Sequence, residues 1–355
     1  MIKIFNNTGR WWAALAAAVA GFFCFAGVAI SNLYTSSGPK NNNQAPTLRS
    51  SSSSSSSSRR ALSNIEPINA DAISDAVFVS NDPKHPYGHC EIPMHKYSTH
   101  EVDTLYQPAF PGSGSRMTYE LVSALTGMTI SNDHNYAIDP AVRKHVVSVK
   151  THYPNRNGID LQEFDDDFHG ALLVIRNPIK AIPSFFNFWY ERINHLENHS
   201  VRAPTEEWIA FRDANFGEQL RSWRKHMDYW LQKYQNDRSK LLVLPYEHLT
   251  DNAKGPGTAL RLASFLDSAK GVTAAKPEEV ACIWHKSVKY MDEGESIEGH
   301  SVRAGSHKTP YTQDQFDQIQ NTLQSQKWKY QDDPEVFKIM DQYMRHINHS
   351  WLYVN

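Results

Sequence analysis

The chain has 355 residues, with 36 lysines and arginines against 38 aspartates and glutamates and a formal net charge of −2. That balance excludes a polybasic nucleic-acid binder and an acidic tail, so any site for an anion has to be built locally. The length suffices for one large α/β domain or two small ones.

In chain order, Trp11 to Ile30 is an uncharged apolar run of about bilayer-spanning length that follows Lys3 and Arg10. It is expected to be a signal anchor of type II, with residues 1–10 as a cytosolic tail and everything after it lumenal. A cleaved signal peptide, with secretion of the rest, is the alternative, because small residues lie between Ala26 and Ala29. Residues 31–74 turn to Ser, Asn, Pro and Gly, with a serine run that includes Ser51 to Ser58. Such a segment cannot bury enough apolar surface to fold and reads as a disordered stem. Residues 75–355 then form the one folded domain. Its periodicity predicts strands near Leu105 to Phe110, His145 to Val149, Ala171 to Ile175 and Lys240 to Pro245. Helices are expected near Ser115 to Thr126, Ile179 to Glu197 and Glu206 to Tyr234, with mostly helix beyond Ala259 and a loop around Glu293 to Thr309. Continuous apolar strands such as Ala171-Leu172-Leu173-Val174-Ile175 suit a parallel sheet covered on both faces, so the fold class is α/β, three-layered about a central parallel sheet.

Three strings carry chemistry. Pro111-Gly112-Ser113-Gly114-Ser115-Arg116 joins the first strand to the first helix. Amide hydrogens at a helix N-terminus lack partners within the helix, and with the helix dipole they favour a phosphate or sulfate. Alone, the string also fits an ordinary strand-to-helix turn. Lys150-Thr151-His152-Tyr153-Pro154 ends the second predicted strand, and places a cation and an imidazole where open parallel sheets bind ligands. Arg176-Asn177-Pro178 ends the strand after it, and Ser184 follows on the helix. A guanidinium fork and a short hydroxyl could grip one phosphate together.

These strings, in this order, resemble the sulfotransferases that use 3′-phosphoadenylyl sulfate (PAPS), with the likeness running over about Tyr106 to Tyr311. The resemblance implies a P-loop-like phosphosulfate-binding loop at Gly112, Ser113, Gly114, Ser115, Arg116 and Met117. It implies a catalytic base at His152, with Lys150 and Arg116 neutralising charge on the sulfuryl oxygens and the leaving phosphate. Arg176 and Ser184 would bind the 3′-phosphate. Leu241 to Glu247 is similar to the strand whose tyrosine approaches the nucleotide, which makes Tyr246 the counterpart. His285-Lys286-Ser287-Val288-Lys289 resembles the adenine-side segment, with Ser287 in the binding position, and Arg303-Ala304-Gly305 resembles the element that closes over the 3′-phosphate, with Arg303 and Gly305 as its contacts. Gly112 stands where the cytosolic members carry a loop lysine, with Arg116 as the natural substitute; Val288 replaces an aromatic and Ala304 a cation. The implied donor is PAPS, with no metal, and the expected acceptor is a glycan or glycoprotein in the Golgi lumen.

A phosphate-loop kinase would need a Gly-Lys-Ser/Thr ending, which is missing after Gly114. A non-catalytic membrane-tethered protein of the same fold is the other alternative. His85, His89, Cys90, His95 and His100 crowd one segment and Asp165 to Asp167 another; their spacings match no zinc or calcium loop, and they read as a flexible polar lead-in and a solvated acidic turn. Cys90 and Cys282 could pair in an oxidising compartment or stay as two buried thiols. Asn198 and Asn348 fit the N-glycosylation pattern.

Overall fold

The structure, a computed structural model, describes residues 86–197, 199–292, 295–296 and 310–347. The expected anchor, stem and domain boundary lie outside the described residues, as do His85, Asn198, Arg303, Gly305, Asn348 and most of the loop from 293 to 309. Among the described residues, no helix is long and apolar enough to cross a membrane.

Five strands, β1 (Thr104–Pro108), β2 (Ser131–Asn132), β3 (Ser148–Thr151), β4 (Phe168–Ile175) and β5 (Leu241–Pro245), pair in the order β2-β3-β1-β4-β5. Every pairing is parallel. The apolar run of β4 is buried on alternate faces. Ala171, Leu173 and Ile175 pack with helices α3 (Pro178–Ile193), α4 (Thr205–Lys233), α8 (Gln313–Lys329) and α9 (Pro334–His346) on one side. Leu172 packs with α1 (Ser115–Thr126), α6 (Gly255–Asp267) and α7 (Pro277–Lys289) on the other. A strand buried on both faces has no polar alternation, which is why its sequence is apolar throughout. Two further short α-helices among the described residues are α2 (Asp133–Ile138) and α5 (Tyr246–Leu249).

From β1 the chain passes to β2 at one edge, returns through β3, and then crosses β1 to build β4 and β5 on the other side. The direction of winding therefore reverses around β1. At such a reversal in open parallel sheets, loops leaving the carboxyl ends part from one another, and ligands bind between them.

Helix α3 begins with the Asn177 side chain accepting from Ile179 N–H at 3.2 Å and Pro178 in the first turn. Pro183 lies inside this helix and has no N–H to give the Ile179 carbonyl, which accepts instead from the buried Tyr311 hydroxyl at 2.9 Å. Cys90 and Cys282 form a disulfide that ties the lead-in segment to α7. Backbone bonds from Lys96 to Gly127 and from Ser98 to His145 hold that segment further, so the flexible polar lead-in expected from the sequence is a fastened strap. The acidic turn is corrected likewise. Asp165 accepts from the Tyr106 hydroxyl and pairs with Lys233, and Asp167 pairs with Lys144, so two of the three carboxylates brace the sheet instead of facing solvent alone.

Candidate active site

The segments from Ala109 to Gly114, from His152 to Gly158, Arg176 and Tyr246 all follow the carboxyl ends of adjacent strands: β1, β3, β4 and β5. In the first of these turns Gly112 and Gly114 have φ of 83° and 87°, the left-handed region that a side chain disfavours. Both are also pressed close. A Cβ on Gly112 would lie 2.3 Å from the Ala181 carbonyl oxygen of α3, and one on Gly114 would lie 2.4 Å from the Tyr246 ring. Gly114 is the N-cap of α1 and brings no side-chain cap, so the helix presents its leading amide hydrogens uncapped. Gln107, buried in β1, donates to the Ser115 carbonyl at 3.1 Å and fixes the helix start to the sheet.

Arg176 converges on the same turn. Its Nη1 donates to the Gly112 carbonyl at 2.7 Å, and its guanidinium lies 4.1 Å from the centre of the Tyr246 ring. Its Nε is buried with no hydrogen-bond partner, and so is the Ser113 hydroxyl oxygen. Unpaired buried polar atoms are costly, and the Ser113 hydroxyl and the Arg176 Nε–H are two donors free to serve an anionic group. Asn177, next to Arg176, takes its N–H to Glu247 at 3.1 Å and its side chain to the Tyr343 carbonyl at 3.3 Å, and Trp223 of α4 donates to the Arg176 carbonyl at 3.0 Å. The arginine is thus set by strand, helix and loop together. Ser184 lies half-buried on α3, one turn after Ala181, whose carbonyl Gly112 touches.

His152 Nδ1 lies 2.7 Å from the Ala109 carbonyl oxygen. A carbonyl only accepts, so the Nδ1 carries the proton and the Nε2 keeps its lone pair. Burial and, less strongly, the neighbouring Lys150 push the His152 pKa below the ordinary imidazole value, against the Ala109 bond and Asp133, which raise it. Lys150 stands beside Gln107 in the sheet register, on the α1 side. Its pKa is lowered by burial and by Arg116 and held up by Asp133. Arg116 is exposed and turned along its own helix, its Nε donating to Glu120 at 2.8 Å. Ser287 is buried on α7 beside Val288. The structure therefore gathers the glycine turn, Arg176 and Tyr246 by direct contact, while the Arg116 guanidinium is held by Glu120 on its own helix.

Residues 145–349, more than half of the chain, match the pattern of the Sulfotransferase domain family. The chain belongs to the sulfotransferase family. A comparison with curated proteins finds no match. The matched stretch holds His152, Arg176, Ser184, Tyr246 and Ser287, and the glycine turn precedes it. In this sulfotransferase the turn's place is given by the geometry, through the Arg176–Gly112 bond.

Several residues of the site escape the sequence reading. Asp133, 4 % exposed, starts α2 and receives hydrogen bonds from Thr151, Ile159 and His134. Gly158 closes the turn that carries His152, and a Cβ there would lie 2.0 Å from Tyr153 N. His226 of α4 is buried against His152 with both ring nitrogens unpaired; the His152 carbonyl is near it but outside hydrogen-bond geometry. Burial, then His152, hold the His226 pKa down to about 3, so it is neutral throughout the physiological range. A buried histidine on a helix rich in Trp looks like core in the sequence, and nothing in its spacing marks it.

Proposed function

We propose that this sulfotransferase moves a sulfuryl group from PAPS to a hydroxyl of a glycan or glycoprotein, with His152 as the general base. What supports the reading most is the Arg176 guanidinium bonded to the Gly112 carbonyl, with the unpaired Arg176 Nε and Ser113 hydroxyl in the same assembly. Those donors fit a phosphate-bearing nucleotide, and the glycine turn leaves no side chain in the way.

Sulfuryl transfer resembles phosphoryl transfer: the donor brings an electrophilic sulfur and a nucleotide phosphate that leaves in line with the attacking oxygen. The chain's share is position and charge. His152 Nε2 takes the proton of the attacking hydroxyl. Lys150 supplies positive charge beside the base, and the amide hydrogens from Gly112 to Met117, apart from that of Ser113, which donates to the Phe110 carbonyl at 3.0 Å, receive the 5′-phosphate. Arg116 joins them only after leaving Glu120. Arg176, Ser184 and Arg303 recognise the 3′-phosphate, and Tyr246, Ser287 and Gly305 line the nucleotide.

The cellular setting proposed is a Golgi membrane, with a single-pass anchor at residues 11–30 and the catalytic domain in the lumen. The Cys90–Cys282 bond supports an oxidising compartment. The full chain, given labelled PAPS and a panel of polysaccharides and glycoproteins, should label one class of acceptor. Adenosine 3′,5′-bisphosphate bound with no transfer to any acceptor would favour the non-catalytic alternative. Arg176→Ala should weaken bisphosphate binding by about 1.5–3 kcal/mol, roughly 10- to 150-fold in Kd, because a charge-assisted contact is lost. An unchanged Kd by calorimetry would remove Arg176 from the nucleotide site.

A further inference from the structure

We infer that Asp133 is a positioning residue for the base: its carboxylate ties down both ends of the turn that carries His152 and, among the described residues, supplies the negative charge beside the His152–Lys150 pair. This rests on the base assignment made above and adds to it.

The geometry is specific. One carboxylate oxygen, Oδ2, accepts from the Thr151 hydroxyl at 2.8 Å and from Ile159 N–H at 2.9 Å. Thr151 immediately precedes His152, and Ile159 immediately follows Gly158, so a single oxygen clasps the turn where it leaves the sheet and where it closes. The other oxygen accepts from His134 N–H at 3.0 Å and fixes the carboxylate to α2. Thr151 Oγ1 in turn accepts from Tyr153 N–H at 2.9 Å, which carries the clasp across His152 itself. Inside the turn, Asn155 N–H bonds the His152 carbonyl at 2.8 Å and Gly158 N–H bonds the Asn155 carbonyl at 2.9 Å. The Ala109 carbonyl orients the imidazole but carries no net charge. In many nucleophile–base pairs a carboxylate bonds the imidazole directly. Here the carboxylate acts one residue away, through the backbone on either side.

The charges around His152 are few. Lys150 faces it from its own strand and Asp133 from the start of α2. Buried His226 faces it from α4 and stays neutral. Arg116 of α1 acts on Lys150. Of these, only Asp133 favours the protonated forms of both His152 and Lys150.

Two substitutions separate the clasp from the charge. Asp133→Asn keeps an acceptor oxygen for Thr151 and Ile159 and removes the charge. Thr151→Val breaks the clasp and keeps the charge. In Asp133→Asn, both limbs of the kcat/KM–pH profile should move toward acid, because His152 loses its proton more readily and Lys150 loses its own at lower pH. In Thr151→Val, kcat should fall about 10-fold or more with the limbs unmoved, since a base displaced by a fraction of an ångström loses rate without changing charge state. The same titration read by NMR on the His152 ring, identified by its disappearance in His152→Gln, needs no turnover. It therefore keeps this inference apart from the transfer reaction: absent transfer with a shifted His152 signal sinks the reaction and leaves the role of Asp133 standing. An Asp133→Asn protein that is folded by circular dichroism and shows the wild-type His152 titration overturns the inference. So does a Thr151→Val protein with wild-type kcat.

Discussion

His152→Ala lowers the rate of sulfuryl transfer by roughly 100- to 10,000-fold, the usual contribution of a positioned general base. Binding of adenosine 3′,5′-bisphosphate stays within about twofold of wild type, because the proposed nucleotide donors come from the glycine turn and Arg176, and among the described residues the imidazole is bonded only to the Ala109 carbonyl. The fold should also survive: the carbonyl of Ala109 loses one donor, a cost of about 1–3 kcal/mol, while its N–H keeps the Thr151 carbonyl. The pH dependence carries an independent signature. The competent base is neutral imidazole, and burial together with Lys150 depresses the His152 pKa in the folded chain. The sign follows: protonation, which silences the base, begins only below the ordinary imidazole value, so transfer persists into mildly acidic buffer and falls off further down. An alanine variant with wild-type turnover in a labelled-donor assay would strike the histidine from the mechanism.

How much of this was legible in the sequence depends on what each residue's neighbours are. The central strands were readable because a strand buried on both faces is apolar residue by residue, as Ala171 to Ile175 shows. The glycine turn was readable because it joins such a strand to an amphipathic helix. Strand β2 was not, since its two residues, Ser131 and Asn132, carry no hydrophobic pattern at all. With β2 and α2 missing from the reading, Asp133 had no reason to be near Lys150 or His152, and the clasp on the base stayed hidden. Arg116 illustrates the opposite difficulty: its place beside the turn was clear from the string, but its capture by Glu120 four residues on is a choice between two partners, which only coordinates resolve. Asp165 and Asp167 looked like a solvated turn because their partners, Tyr106, Lys233 and Lys144, are far away in the chain. The pairing of Cys90 with Cys282, 192 residues apart, could be named as one option and no more. Tyr246 was placed with its strand; it begins the short helix just beyond, which turns its ring under Gly114 and Arg176.

The contact between the turn and α3 gives the largest expected effect on stability. In Gly112→Ala the new methyl would stand 2.3 Å from the Ala181 carbonyl oxygen and 2.6 Å from Phe185 N, both backbone atoms of a helix, so no rotamer change can relieve the overlap. The residue would also have to hold φ near 83°, where an alanine is strained by about 1–2 kcal/mol. Adding about 1–3 kcal/mol for overpacking gives a loss of roughly 2–5 kcal/mol, enough to lower Tm by several degrees in a domain of this size. Gly88→Ala separates the two causes, because Gly88 has φ of 80° with nothing within 4 Å of the added methyl, and it should show the backbone strain alone. The two variants must also part in nucleotide affinity. Relief at Gly112 can come only by moving the turn away from α3, which carries the Gly112 carbonyl off Arg176 Nη1 and spoils the anion donors on both sides. Gly112→Ala should therefore bind adenosine 3′,5′-bisphosphate at least 10-fold more weakly than wild type, and Gly88→Ala should match wild type. Equal melting temperatures and equal affinities in the two variants would mean that the turn does not depend on its contact with α3, and the picture of a donor site set by loop, helix and arginine together would have to be given up.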